Sequence, residues 1–235
     1  MKPKAKIIHV LCEGETEQGF VDKVLKPYLL ENKESGIIAV KGMKVATGKN
    51  SRGGLSTYLH VKNDLDTMMQ SNPDNEHERH VFTTMFDLYA LPDNFPEYAT
   101  AMKIADRYLC VTALEKAHAN DVGSDRFIPY IQLHEFEALV FCGIKYLTDL
   151  YPECKQQCRK LEADLANVGN PELINNSPAT APSKRLINAI ENGPKTRYKY
   201  NKPRTGKYVT IKVGIPELRT RCPHFNEWIQ KLQDS

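Results

Sequence analysis

The run Ile7-Ile8-His9-Val10-Leu11-Cys12-Glu13-Gly14 decides how this chain is read. Its first part is β-prone and almost wholly apolar, which suits a central strand of a parallel sheet covered on both faces, and Gly14 breaks it. Outward from there, Phe20, Val21, Val24 and Leu25 recur at helical spacing. A second strand is predicted at Gly36–Val45, then a Gly/Ser/Lys loop over Thr47–Gly54 and a helix from about Ser56 to Met69. His80–Phe86 is the next β-prone run and ends at Asp87; a loop with Pro92 and Pro96 leads to a helix around Tyr98–Ala119. Arg126–Leu133 reads as a further strand, where Pro129 predicts an edge position or a bulge. Strands alternating with helices predict an α/β fold, a mostly parallel central sheet with helices on both faces. Ligands of such sheets bind beyond the carboxyl ends of the strands.

After about Ile144 the character changes. Helical segments near Cys154–Leu165 and Ser183–Ile190 flank a Pro/Asn/Ala-rich connector at Asn167–Pro182, and a basic stretch follows at Lys195–Lys212. The expectation is a single domain over 1–235, with an α/β core at 1–143 and a mainly helical, basic C-terminal extension at 144–235. A length of 235 residues favours one large domain over two. No stretch approaches the ~20 apolar residues of a membrane span. The basic Met1–Lys6 precedes an apolar run broken by His9 and ended by Glu13, so that run reads as a strand, not a signal peptide. Six cysteines without a secretory signal fit a reducing compartment, and the cytoplasm is the expected location. A net charge of +3 says little about nucleic acid by itself, so the distribution of charge must carry that question.

Four constellations bear on chemistry. Glu13-Gly14-Glu15-Thr16-Glu17 places three acids directly after the first strand. Glycine allows close approach of a ligand to the backbone, whereas Glu15 and Glu17 are also explained by the preference of acids for helix N-termini. Asp87, at the end of a hydrophobic strand, is well placed to hold a cation over the sheet edge, and Mg²⁺ favours such oxygen ligands. In Leu133-His134-Glu135-Phe136-Glu137-Ala138-Leu139 three ionisable groups sit in an apolar run, an expensive arrangement unless they pair with one another, a metal or a basic partner. If the run is helical, His134 and Glu137 share a face and Glu135 projects elsewhere. Finally, Lys184, Arg185, Lys195, Arg197, Lys199, Lys202, Arg204 and Lys207 crowd one segment against the single acid Glu191, with Tyr198 and Tyr200 interleaved. That mixture suits phosphate contacts and stacking on unpaired bases, with an acidic protein surface as the rival partner. The glycines of the Thr47–Gly54 loop lack the Gly-Lys-Ser/Thr ending of a P-loop, and Cys154, Cys158 and Cys222 match no common zinc spacing.

Glu13–Glu17, Phe86–Pro92, Pro129–Leu139 and Ala179–Leu186 together resemble the signature blocks of a bacterial domain family of unknown function with a Toprim-like fold. The resemblance spans nearly the whole chain. It implies an effector that partners an AAA/ABC-type ATPase in phage defence, acting as a Mg²⁺- or Mn²⁺-dependent endonuclease on DNA or RNA. It also implies metal ligands at Glu13 and Asp87, with Glu135 or Glu137 supplying the missing carboxylate; the residues themselves add an expected proton transfer by His134 and a nucleic-acid grip at Lys184, Arg185, Arg197, Lys199, Arg204 and Lys207. A homodimer is compatible with it, and membrane association is not expected. Toprim enzymes carry an Asp-x-Asp after a later strand; here Asp87 matches the first position and Tyr89 stands at the second. That departure keeps a rival open, a catalytically inactive module that docks on an ATPase.

Overall fold

A computed structural model of the protein describes residues 4–46, 55–175, 180–192 and 197–235. The Thr47–Gly54 loop, Lys195 and part of the Ala179–Leu186 block fall outside the described residues.

Five strands form one parallel sheet: β1 (Ala5–Cys12), β2 (Ile37–Lys44), β3 (Glu78–Asp87), β4 (Phe127–Ile128) and β5 (Ile131–Gln132). The spatial order is β2-β1-β3-β4, with β5 further along the same edge of β3. Phe82 pairs with Phe127 and Phe86 with Ile131, so β4 and β5 keep one register and are two halves of a single edge strand. Pro129 cannot donate to the ladder. Thr84 spans the break instead: its hydroxyl accepts from Tyr130 N–H at 3.0 Å and donates to Tyr130 C=O at 3.1 Å.

Between the strands run α1 (Glu15–Phe20) and α2 (Lys26–Glu31), joined by a π-helical turn at Val21–Leu25, then α3 (Tyr58–Ser71), α4 (Tyr98–Ala101) and α5 (Arg107–Val122). The single helix expected around Tyr98–Ala119 is therefore two. Asp106 prefers to cap: its carboxylate accepts the free N–H groups of Tyr108 and Leu109 and starts α5 afresh. After the edge strand come α6 (Glu137–Phe141), α7 (Leu147–Leu150), α8 (Lys155–Val168), α9 (Pro182–Glu191), α10 (Lys202–Val213), α11 (Ile215–Arg221) and α12 (Pro223–Asp234). Among the described residues no helix is long and apolar enough to cross a membrane.

Strand alternation sends Ile8, Val10, Cys12, Val81 and Met85 to one face, where they share a core with residues as late as Ile229 and Leu232. Leu11, Phe82 and Phe86 face the opposite side and pack with Val61 and Leu65 of α3 and with Val111 and Leu114 of α5. The last helix is tied to the middle of the sheet, since Trp228 stacks on Tyr130 with ring centroids 4.2 Å apart and its indole N–H donates to Thr83 Oγ1 at 2.8 Å. From β1 the chain leaves to β2 on one side and returns to β3 on the other. The carboxyl ends of β1 and β3 therefore flank the point where the winding reverses, where parallel α/β sheets open a crevice.

Candidate functional site

That switch point is acidic. Glu13 directly follows β1, Asp87 is the last residue of β3, and Glu137 opens α6. Glu17, one turn into α1, reaches back to accept the Gly14 N–H at 3.0 Å, half of a capping box. Glu13 Oε2 accepts the backbone N–H of Asp87 at 3.1 Å, which locks the two strand ends together. Asp87 Oδ1 accepts from Phe136 N–H at 2.7 Å, and its Oδ2 accepts from the Lys202 ammonium at 3.0 Å. The same ammonium lies 3.3 Å from Glu137 Oε2 and 3.7 Å from Glu17 Oε1. Tyr200 O–H donates to Glu137 Oε1 at 3.1 Å.

Four carboxylates thus face one lysine. Asp87, Glu17 and Glu137 are buried, and Lys202 is about one-third exposed. Burial, then the neighbouring Asp87 and Glu17, pushes the Glu13 carboxyl up to about 8. Burial and Asp87 push Glu17 up to about 7. Burial also raises Glu137 to about 7, against the pull of Lys202. For Lys202 burial acts downward, yet Asp87, Glu137 and Glu17 together hold it well above the ordinary lysine range. The ammonium is charged at neutral pH, while the acids around it compete for a charge that one lysine cannot fully balance.

Lys202 arrives there because α10 lies unusually close to α1 and α6. A Cβ at Gly206 would stand 2.7 Å from Phe136 Cε1 and 3.1 Å from Thr16 Cγ2, so only glycine permits the approach. Asn201 caps α10 by accepting the Arg204 N–H at 2.9 Å, which sets Lys202 at its first turn.

The other expected site residues lie around this centre rather than in it. Glu135 accepts the backbone N–H of Ser183 at 2.8 Å and its hydroxyl at 3.0 Å, so it caps the start of α9. His134 precedes α6 in a left-handed conformation, φ 62°, and does not share a helical face with Glu137. Its Nδ1 lies 3.1 Å from Tyr89 O–H, which also meets Asn175 Nδ2. Burial, with Arg107 nearby, lowers the His134 ring to about 4, so it is neutral at physiological pH. Among the basic residues, Arg185 pairs with Asp164 at 3.4 Å, Arg197 with Glu153 at 3.8 Å and Lys199 with Glu191 at 2.9 Å. Lys184, Arg204 and Lys207 are exposed. Lys202 and Tyr200, read from sequence as part of the basic-aromatic segment, belong to the acidic centre, as does Glu17, for which a helix-terminus role was the alternative reading.

Oxygen donors of this kind fit a hard divalent cation. Buried Glu17 Oε1 and Glu137 Oε2 have no hydrogen-bond partner among the described residues and meet only the Lys202 ammonium. Among the described residues no three His, Cys, Asp or Glu side chains are gathered closely enough to hold an ion as they stand. The ammonium occupies the point they surround.

Fold and site together define a parallel α/β protein with a lysine-bridged carboxylate centre at its topological switch point. Residues 12–233 match the family described as "Domain of unknown function (DUF4276)", and the chain belongs to that family. Neither a curated protein nor a solved structure matches it.

Proposed function

We propose that this protein is a Toprim-like, Mg²⁺- or Mn²⁺-dependent phosphodiester hydrolase acting on DNA or RNA. The observation that carries this reading is the convergence of Glu13, Asp87, Glu137 and Glu17 beyond the carboxyl ends of β1 and β3 with a single lysine to balance them. Glu13, Asp87 and Glu137 are the residues to hold the ion, with Glu17 beside them. A divalent ion bound there supplies an acidified water and charge stabilisation at a phosphate. In the metal-free protein Glu13 is pushed up to about 8, so binding of an ion there would release a proton. Lys202 adds positive charge where a phosphodiester oxygen must sit. His134 faces Tyr89 and serves by positioning the segment between β5 and α6 rather than by proton transfer.

A second reading has its own support: the ammonium already fills the centre, and Tyr89 stands where an Asp-x-Asp motif has its second acid. The protein is then an inactive module that docks on an AAA/ABC-type ATPase, and its place in phage defence lies in that contact. Calorimetric titration with Mg²⁺ and Mn²⁺, beside cleavage assays on single- and double-stranded DNA and RNA with and without such an ATPase, separates the two. Metal binding and cleavage, both lost in Glu13→Gln, are the expected result. Absence of both in the wild type leaves the docking module.

A further inference from the structure

A second feature lies among the later helices. Helices α8 and α9 run side by side and leave a groove of about 420 Å³ between them. That volume is within the range of small-molecule sites. Each helix contributes one face to it at helical spacing: Gln157, Lys160 and Leu161 from α8, and Lys184, Asn188 and Ala189 from α9. Buried Leu161 and Ala189 form an apolar floor. Lys160 and Lys184 are exposed, and among the described residues neither pairs with a carboxylate; the one acid of the groove, Asp164, is engaged by Arg185. The groove is therefore set for an anion at its rim and an apolar plane at its floor.

An independent observation narrows the ligand. Gln157 lines this wall, and its buried Oε1 has no hydrogen-bond partner among the described residues, so no partner holds that oxygen and a turn of the amide would present it to the groove. Asn188 adds an amide at the same level, already touched by Asn192 at 3.2 Å. Cations, an apolar floor and amide groups that read hydrogen-bonding edges are together the complement of one nucleotide with an unpaired base. In a duplex, pairing already occupies that edge.

The groove also has the right address. Lys184 follows Ser183, which Glu135 holds by two hydrogen bonds, and Glu135 lies two residues before Glu137. The start of α9 is thereby tied to the segment that carries Glu137. Resting on the hydrolase reading, we infer that the α8–α9 groove binds one unpaired nucleotide of a single-stranded nucleic acid flanking the scissile phosphate, with Lys160 and Lys184 on the phosphate and Gln157 on the base.

The test is fluorescence anisotropy of the full chain in EDTA, using a labelled single-stranded oligonucleotide and the duplex of the same sequence. The expected result is tighter binding of the single strand, weakened about 10-fold or more by Lys160→Glu with Lys184→Glu, with a shallower salt dependence. Lys103→Glu with Lys116→Glu, on the other side of the sheet, makes the same charge change and is expected to weaken binding far less. Gln157→Leu is expected to narrow the preference for the single strand while leaving the salt dependence intact. Equal binding of duplex and single strand overturns the inference, as does equal weakening by both lysine pairs. Because no metal is present and no bond is cut, a groove that binds in a protein that never cleaves refutes the hydrolase alone. Cleavage that ignores the groove variants refutes the groove alone.

Discussion

Lys202 is the residue on which the centre turns. Removing one partner of a buried ion pair leaves the others uncompensated, and the partial exposure of this lysine softens the cost by solvent screening. Lys202→Met is therefore expected to destabilise the metal-free protein by about 2 kcal/mol. Mg²⁺ is expected to raise its melting temperature more than that of the wild type. An unchanged melting temperature in EDTA would show that the ammonium is not the counter-ion of the acids. Glu135 makes the contrasting case. As the cap of α9, its replacement by alanine is expected to cost about 1 kcal/mol and to leave Mg²⁺ affinity within error by calorimetry. A large loss of affinity would place Glu135 among the ligands after all. Glu13 and Asp87 were legible in the sequence because an acid that ends an apolar strand has few structural excuses. Glu137 stood out through the cost of burying charge in an apolar run. Glu135 gave the same signal for a different reason, since its partner, Ser183, is distant in sequence. Lys202 gave none, because among so many neighbouring cations nothing local distinguishes the one that turns inward.

At the level of elements, the position of α10 rests on contacts too tight for any side chain. Gly206 meets Phe136 and Thr16, and on the other side Gly143 receives Val209 and Val213, where an added Cβ would stand 2.6 Å and 2.5 Å from their methyl carbons. Gly206→Ala is expected to push α10 outward and cost about 1–3 kcal/mol, the usual range for overpacking. Because Lys202 rides on the first turn of that helix, the same change is expected to alter Mg²⁺ affinity, which calorimetry reads directly. A variant that loses stability but keeps wild-type affinity would uncouple the helix from the centre. The strands were readable from their apolar runs, and Pro129 foretold the broken edge. The interruption between α4 and α5 was not foreseen, because Asp106 in a helical pattern looks like any exposed acid until its carboxylate is seen capping the next turn.

For the molecule as a whole, the acids of the centre set a pH dependence whose sign can be worked out. Glu13, Glu17 and Glu137 have folded values of about 8, 7 and 7, above the ordinary 4.5, so the folded state binds protons more tightly and loses stability as pH rises through that window. His9 and His134, lowered to about 4, and His118, lowered to about 3, act oppositely, but their contribution is complete once pH passes about 6.5. His224 is raised, through its hydrogen bond to Glu115 despite burial, and adds to the decline above that point. The melting temperature in EDTA is therefore expected to fall between pH 6.5 and 8, and Glu13→Gln, which keeps an acceptor for Asp87 N–H, is expected to flatten the fall. A metal-free protein that becomes more stable across that interval would contradict the electrostatics of the centre. The parallel class of the sheet was legible from alternating strand and helix signals. The shared core between the first strand and the last helix was not, because no local pattern reports a contact between segments so far apart.

That long-range closure has a consequence for the making of the protein. Thr83 Oγ1 in β3 waits for an indole 145 residues later in the chain. At about 5–20 residues per second of synthesis, the interval is roughly 7–30 s. During it the first strands can already pair, but the face they share with α1 and α2 stays only partly covered, and Tyr130 and the hydroxyl of Thr83 still lack Trp228. The nascent chain is for that time a sticky half-sheet, and translation speed and chaperone supply, as much as the stability of the finished fold, govern how much protein reaches it.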